Sequence, residues 1–365
     1  MEQRRKNLTQ LFIPICLETL LYMLSGMVDT LMLSSVNDQA VGAVGTANTY
    51  IGIFIIMFSV ISSGMVAVMT QNIGAGRPGV AYQARQLGLA FNAVLGVIMS
   101  LFLSLGAGTI LSGVGVADAL MQPAKTYLQI VGGFCILNAL IPICSSYLRA
   151  FGFSKEPLYA SIIGNVINFC LNAFFLFVLH KGVAGVATAT VISRIINLVI
   201  VVLLGAVLVK AKQHPERESN RAVMGQIIRI GLPSACETAI YNVSMTLVIR
   251  FLNQMDAQGL NVTARSYTMQ ITNFSYCVGA ALAQANAIMT GWHIGAKEYD
   301  ACDRGTKKAA VIGVIVAVIL ETVFTLCSGW IMQLFSKDPQ MVSLVGKLLA
   351  IDIVLEIGRV TNLVY

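Results

Sequence analysis

A chain of 365 residues with 56% hydrophobic and only 11% charged side chains is no ordinary soluble protein, in which about a quarter of residues carry charge. Those figures also exclude a disordered tail, a collagen-like fibre and a disulfide-stapled secreted domain, whose compositions are polar, glycine-periodic or cysteine-dense. The net charge of +7 would suggest nucleic acid in a soluble domain, but here the basic residues sit in short gaps between apolar runs, so no nucleic-acid partner is implied and an all-α, polytopic membrane protein remains.

Ten runs are long enough to cross about 30 Å of hydrocarbon as helices. They are continuously apolar, where barrel strands would alternate over about ten residues. The first, residues 11–34, contains Pro14, Glu18 and Asp29. Eleven residues at 100° each bring Glu18 and Asp29 to within about 20° on one helix face, about 16 Å apart along the axis. An ionisable group at the bilayer centre costs about 2.5–3.5 kcal/mol on insertion scales, so each asks for a role: a cation or proton site at Asp29, and at Glu18 either a cavity carboxylate or an interhelical hydrogen-bonder near Pro14. The second run, 44–70, ends in Gln71-Asn72-Ile73-Gly74-Ala75-Gly76, the third is 87–111, and the fourth, 126–148, leads into Leu148-Arg149-Ala150-Phe151-Gly152.

In the fifth run, 157–179, Asn165, Asn168 and Asn172 recur at i, i+3 and i+7. That stripe of amides either bonds a carboxylate and lines a wet cavity or joins helices. The sixth run, 184–209, carries Arg194, which needs a buried partner or a cavity; the polar stretch 210–224 then links to the seventh, 228–253. The eighth, 266–290, is followed by Ile294-Gly295-Ala296-Lys297, and the ninth, 309–335, holds Glu321, which by itself forms no pattern. In the tenth, 341–363, Asp352, Glu356 and Arg359 share a face, and Glu356 can pair with Arg359 one turn away.

Of the 24 Lys and Arg, sixteen lie in one alternate set of gaps, including Arg4, Arg5, Lys6, Arg77, Arg149, Lys212 and Arg217, five in or beside the other, including Lys125 and Lys337, and three inside runs. The richer set marks the cytoplasmic side, which puts the N-terminus in the cytoplasm. Glu18 interrupts the apolar core that a signal peptide would need, and no small-residue cleavage site follows. The eight cysteines fall mostly inside helices without metal-ligand spacing, and the three histidines lie in or beside gaps, which argues against a His- or Cys-based metal site, a hydrolytic triad or any enzyme chemistry in the membrane. Sixteen Met and sixteen Phe offer an adaptable surface for greasy substrates or simply pack and face lipid.

The seventh run repeats the first: Pro14-Ile15-Cys16-Leu17-Glu18-Thr19 recurs as Pro233-Ser234-Ala235-Cys236-Glu237-Thr238, and Ile73-Gly74-Ala75 as Ile294-Gly295-Ala296. Two anchors with nearly one offset indicate duplication. Both copies start on the cytoplasmic side, so the repeats are parallel, a plan found in secondary transporters. The organisation expected is a six-helix lobe over 1–209, a cytoplasmic linker over 210–224, and four helices of a six-helix lobe over 225–365, with the substrate path between the halves. Val248 stands at the repeat position of Asp29, which makes Asp29 peculiar to the first copy.

These residues together resemble the multidrug and toxic compound extrusion (MATE) family, bacterial members in particular: Pro14 with Val28-Asp29-Thr30, the Gln71–Gly76 turn, Arg149-Ala150-Phe151-Gly152, Asn165-Val166-Ile167-Asn168, and Gly182-Val183-Ala184-Gly185-Val186-Ala187. The resemblance implies twelve helices in two lobes, a central cavity, and export of organic cations or drugs across the plasma membrane in exchange for Na⁺ or H⁺, by a monomer without cofactors. It also implies a coupling-cation site at Asp29, where Na⁺ could bind, supported by Asn168 and Asn172, with Glu237 as the acid of the seventh helix. Asp352 and Glu356 become candidates for a second-lobe acidic site, and Glu18 and Asn165 for the cavity. Many members carry Asp where Asn172 stands, and an acid where Phe153 follows the Arg-Ala-Phe-Gly motif. The alternative in the same superfamily is a flippase of lipid-linked oligosaccharide or polysaccharide, which would want Arg and Lys in its cavity; only Arg194, Lys347 and Arg359 lie well inside runs, Arg229 and Arg250 standing at the edges of the seventh.

Overall fold

The computed structural model describes residues 6–35, 38–113, 116, 118–210, 214–255, 260–333 and 338–365. Arg4, Arg5, Lys212 and Lys337 of the charge count lie outside the described residues. Among the described residues there are helices and no strand: α1 (Leu8–Ser34), α2 (Asp38–Gly74), α3 (Pro78–Gly113), α4 (Asp118–Tyr127), α5 (Ile136–Ala150), α6 (Lys155–Ala173), α7 (Gly182–Leu208), α8 (Asn220–Met255), α9 (Leu260–Gly295), α10 (Tyr299–Leu326), α11 (Ser328–Met332) and α12 (Pro339–Val364). Wide π-helical turns follow α4 over Leu128–Gly132 and α6 over Phe174–Val178. Each expected run falls on a helix; the fourth falls on α4 and α5, and the ninth on α10 and α11.

Five of these helices are long and apolar enough to cross a membrane, and two bent pairs, within α2 and across α4–α5, bring the number to seven. The α4–α5 pair bends by 42° just after the π turn and Gly132-Gly133, where the i→i−4 ladder is interrupted. The remaining three expected spans, α8, α9 and α12, fall short of that mark for a chemical reason. Helices α8 and α9 are rich in Asn, Ser, Thr and Gln, and α12 holds Lys347, Asp352, Glu356 and Arg359. Large apolar side chains stand exposed along the bundle, Leu105, Val207 and Val354 among them, as a lipid-facing surface requires. Pro14 and Pro233, equivalent in the two repeats, lie inside the continuous helices α1 and α8.

The chain divides into two compact units. The first is built on Leu21–Ala235, and the second joins Asn7–Leu20 to Cys236–Tyr365. The opening part of α1 therefore counts with the second unit, and the opening part of α8 with the first.

In the first unit a core of Leu33, Ala47, Phe58, Leu103, Ala124, Leu128, Val131, Leu137, Leu176 and Val186 draws α1 to α5, α7 and the π turn after α6 together. Small residues set one close crossing. A Cβ on Gly64 of α2 would stand 1.9 Å from the Ile227 carbonyl oxygen, and one on Gly231 of α8 would stand 1.8 Å from that of Val60. The two backbones touch, a contact that only glycine on both sides allows.

Basic residues from separate gaps also meet in this unit. Arg217 donates to the Gly79 carbonyl at 2.8 Å, Gln83 donates to the Glu218 carbonyl at 2.7 Å and accepts from the Glu218 N–H at 3.0 Å, and Arg77 pairs with Glu218. Arg85 lies over the Tyr147 ring, 4.6 Å from its centroid. The polar stretch before α8 is thus docked on the start of α3.

In the second unit α9, α10 and α12 pack together. One cluster is formed by Ala264, Ile271, Met341, Val345 and Leu349, and another by Ala309, Ala317, Val360 and Val364 with Leu8 against it.

The duplication is visible in a turn. After α2, Gly76 takes φ +73°, its N–H bonds the Ile73 carbonyl, and Arg77 N–H bonds that of Asn72. After α9, Lys297 takes φ +61°, its N–H bonds the Ile294 carbonyl, and Glu298 N–H bonds that of His293. Every partner is displaced by the same 221 positions. Both are left-handed helix ends, which glycine meets without cost and lysine does not.

Candidate functional site

Asp29 lies in the part of α1 that belongs to the first unit and is half-buried. Its Oδ1 accepts a hydrogen bond from Asn172 Nδ2 at 2.6 Å. Asn172 is fully buried, and the same nitrogen reaches Asn168 Oδ1 at 3.3 Å. One turn and more toward the other end of α6, Asn165 Nδ2 donates to the Leu21 carbonyl at 3.4 Å. The amide stripe read from the sequence therefore faces α1 along its whole length. Since Leu21 precedes Asp29 as Asn165 precedes Asn172, α1 and α6 run in the same sense, as the first and fifth spans of one lobe must.

The two readings of the stripe both hold in part: Asn165 joins helices, while Asn172 bonds the carboxylate. Asn172 is held so that it donates to Asp29 and leaves its own Oδ1 buried without a partner. A carboxylate oxygen and a neighbouring orphan amide oxygen form an acceptor-rich spot, and acceptors without donors attract a proton or a metal cation. Arg194, on α7, finds the partner that the sequence required in Asn138 of α5: its Nη1 donates to Asn138 Oδ1 at 2.9 Å.

Glu18, which shares a face with Asp29 by helical arithmetic, falls in Asn7–Leu20, the part of α1 counted with the second unit. It is half-buried and has a partner of its own. Glu237 is exposed, and its Oε1 accepts from Asn362 Nδ2 of α12 at 2.8 Å.

The second unit holds another constellation. Asp352 and Glu356 of α12 meet Glu321 of α10, one ligand oxygen from each lying within 4.8 Å of the others. Arg359 Nη1 stands 2.8 Å from Glu356 Oε2 and Nη2 stands 3.9 Å from Asp352 Oδ1, so the expected pair one turn apart forms. Ser275 of α9 donates to Glu356 Oε1 at 3.3 Å. Glu321 and Glu356 are fully buried, and neither Glu321 oxygen has a hydrogen bond. Three carboxylates against one guanidinium leave negative charge over, which low dielectric makes costly, so protons or a hard, oxygen-liganded cation are what this cluster can hold.

Glu321 is the residue that sequence reasoning passed over. The available signal was its isolation, as the one acid in the apolar stretch of α10 after Asp303; the partners that give it meaning come 31 and 35 residues later on another helix.

With this geometry in hand, comparisons with known proteins are informative. The sequence pattern of the MatE family matches residues 14–174 and 233–365. An uncharacterized transporter, YisQ of Bacillus subtilis, is 32% identical over 357 residues, covering 96% of this chain and 78% of the relative. A protein of Thermotoga maritima described as "probable multidrug resistance protein NorM" is 23% identical over 354 residues, covering 93% and 74%. Among solved structures, a MATE protein in complex with MaD3S superposes with a TM-score of 0.88 at 19% identity, covering 98% of this chain and 81% of that one. A Pyrococcus furiosus transporter of the MOP superfamily, whose binding pocket is described as having reverse polarity that suggests a different function, superposes with a TM-score of 0.80 at 18% identity, covering 96% and 78%. At such identities these two likenesses speak for the fold alone.

Proposed function

We infer, from the premise that this chain belongs to the multidrug and toxic compound extrusion (MATE) family, that it is a transporter which exports organic cations or drugs across the plasma membrane in exchange for Na⁺ or H⁺, with its N-terminus in the cytoplasm. The observation that carries this reading is the half-buried Asp29 carboxylate, hydrogen-bonded by Asn172 at 2.6 Å beside an unpartnered amide oxygen. With Asn at position 172, the site offers one formal negative charge, enough for one monovalent cation.

Coupling then follows from exclusion: a coupling cation and a cationic substrate compete for a single carboxylate. A ligand shifts the balance between inward- and outward-open states only by its difference in affinity for the two. Asn168 and Asn172 orient the acid, and Glu237, Asp352 and Glu356 with Glu321 supply the acidic groups of the second unit.

The relatives support this reading, since several are described as multidrug resistance proteins. The flippase alternative gains less support, because Arg359 is engaged by Glu356 and Arg194 by Asn138, which leaves few cations for a pyrophosphate. The test is Asp29→Asn in proteoliposomes under separate Na⁺ and proton gradients. Cation-driven ethidium efflux should fall at least about tenfold, the cost of losing a charge-assisted contact of about 1.5–3 kcal/mol. Unchanged efflux under both gradients would reject Asp29 as the coupling site.

A further inference from the structure

The end of the first unit proposed to face the cytoplasm carries basic groups that the export reading does not use. Helix α3 has 36 residues, about 54 Å at 1.5 Å each, against about 30 Å of hydrocarbon. Its apolar run, 87–111, ends close to the last helical residue, Gly113, so the excess length lies at the start. Arg85, just before that run, therefore sits at the depth of lipid phosphates, where long basic side chains settle.

Arg85 is half-buried, its Nε is buried without a hydrogen-bond partner, and no carboxylate pairs with it among the described residues. Its guanidinium lies 4.6 Å from the centre of the Tyr147 ring and 5.9 Å from that of Tyr82. Its polar neighbour is the Cys144 thiol, a weak acceptor. From the docked stretch before α8, Arg217 reaches the same Tyr82 ring at 5.8 Å, so one ring ties the two guanidiniums together. Both hydrogen bonds of Arg217, to the Gly79 and Glu216 carbonyls, leave from Nη1. The Tyr82 hydroxyl oxygen accepts from Gln86 Nε2 at 3.2 Å, which leaves the phenol hydrogen to donate. Of the carboxylates in the docked stretch, Glu218 pairs with Arg77, and Glu216 faces His214 at 3.9 Å. Neither answers Arg85.

We propose that Arg85, Arg217 and the Tyr82 hydroxyl hold the phosphate of an anionic phospholipid at this end of the first unit. A guanidinium gives a phosphate two parallel N–H bonds, and stacking on tyrosine holds the planar fork ready. A free phosphate offers the same oxygens. The lipid is favoured because the site is open and has no closed shell of donors, so it holds a dilute anion weakly, whereas lipid phosphates are already concentrated at the depth of Arg85.

The test is equilibrium binding of phosphatidylglycerol and phosphatidylcholine, each with a fluorescent acyl chain, to the full chain in dodecyl maltoside micelles. Both bring a phosphate, and only the first is a net anion. The native chain should bind phosphatidylglycerol at least about tenfold more tightly, and Arg85→Gln should weaken that lipid about 10- to 100-fold, the effect of losing a charge-assisted contact. Arg85→Lys should keep part of the affinity. Tyr82→Phe leaves the ring for both guanidiniums and removes only the hydroxyl, so it probes the site without disturbing the stacking; it should weaken phosphatidylglycerol severalfold. Lys155→Gln, at the exposed start of α6, should change nothing. Equal affinity for the two lipids overturns the proposal, as does native affinity for phosphatidylglycerol in both Arg85→Gln and Tyr82→Phe. A loss in Lys155→Gln as large as that in Arg85→Gln also overturns it, since attraction would then be diffuse. Inorganic phosphate separates the two sources: displacement of labelled phosphatidylglycerol by millimolar phosphate assigns the site to a soluble anion and overturns the lipid assignment, and no displacement supports it.

Discussion

Asp29 and Glu321 are the same kind of group in different company. Asp29 is one acid among amides, with a base nearby that does not close on it, so a single monovalent charge balances it. Glu321 is one of three acids that share Arg359, and that guanidinium is already held by Glu356. The consequence can be measured as stability. Glu356→Gln leaves Arg359, half-buried, without its close partner, and since breaking a fully buried pair costs about 3–5 kcal/mol, the loss here should be about 2 kcal/mol or more. Adding Arg359→Met to Glu356→Gln should recover most of that loss. Glu321→Gln removes an acid that has no hydrogen bond and keeps its shape, so it should cost little or even stabilise. Thermal unfolding in detergent orders the variants, and a Glu356→Gln protein as stable as Glu321→Gln would contradict the pairing. At this scale Asp29, Asn168 and Asn172 were legible, because helical spacing alone puts the amides on one face. Glu321 and the Arg194–Asn138 bond were not, because each partner sits on a different helix whose approach is decided by packing.

Helices carry the next level. The α2–α8 crossing depends on Gly64 and Gly231, where any Cβ would fall within 2 Å of a carbonyl oxygen on the facing backbone. Gly231→Ala should force the helices apart and lower the melting temperature by several degrees, a loss of about 2 kcal/mol or more for overpacking at a backbone contact; an alanine variant that melts with the native protein would mean that the crossing is free to open. Continuous hydropathy put all ten runs on helices, but α2, α3, α8, α9 and α10 begin six to ten residues before their runs. It did not foresee the π turns after α4 and α6, which arise where local geometry departs from the regular ladder. Nor did it foresee that residues 216–220 dock on α3, since the contacts from Gln83 to Glu218 and Asn220 span more than 130 residues of sequence. Helices α8, α9 and α12 are polar enough to fall below an apolarity test for spanning, yet in a bundle their polar sides find partners, as Ser275 and Asn362 do.

For the molecule as a whole, duplication was readable from two short matches, and the turns at Gly76 and Lys297 repeat it bond for bond. The division inside α1 and α8 belongs to packing, which hydropathy does not record. The two copies share a scaffold but not their chemistry: Asp29 has Val248 at its repeat position, and the acidic cluster of the second unit has no copy in the first. On this account one copy discriminates ligands at a lone carboxylate and the other carries a buried acidic cluster. The most direct measurement is ethidium affinity of the purified chain as a function of Na⁺ at fixed pH, and of pH without Na⁺. The account predicts that at least one of the two ions displaces the dye competitively, with the apparent dissociation constant rising in proportion to ion concentration, and that in Asp29→Asn this dependence disappears together with at least about tenfold of the affinity. Ion-dependent displacement that persists undiminished in Asp29→Asn would contradict it.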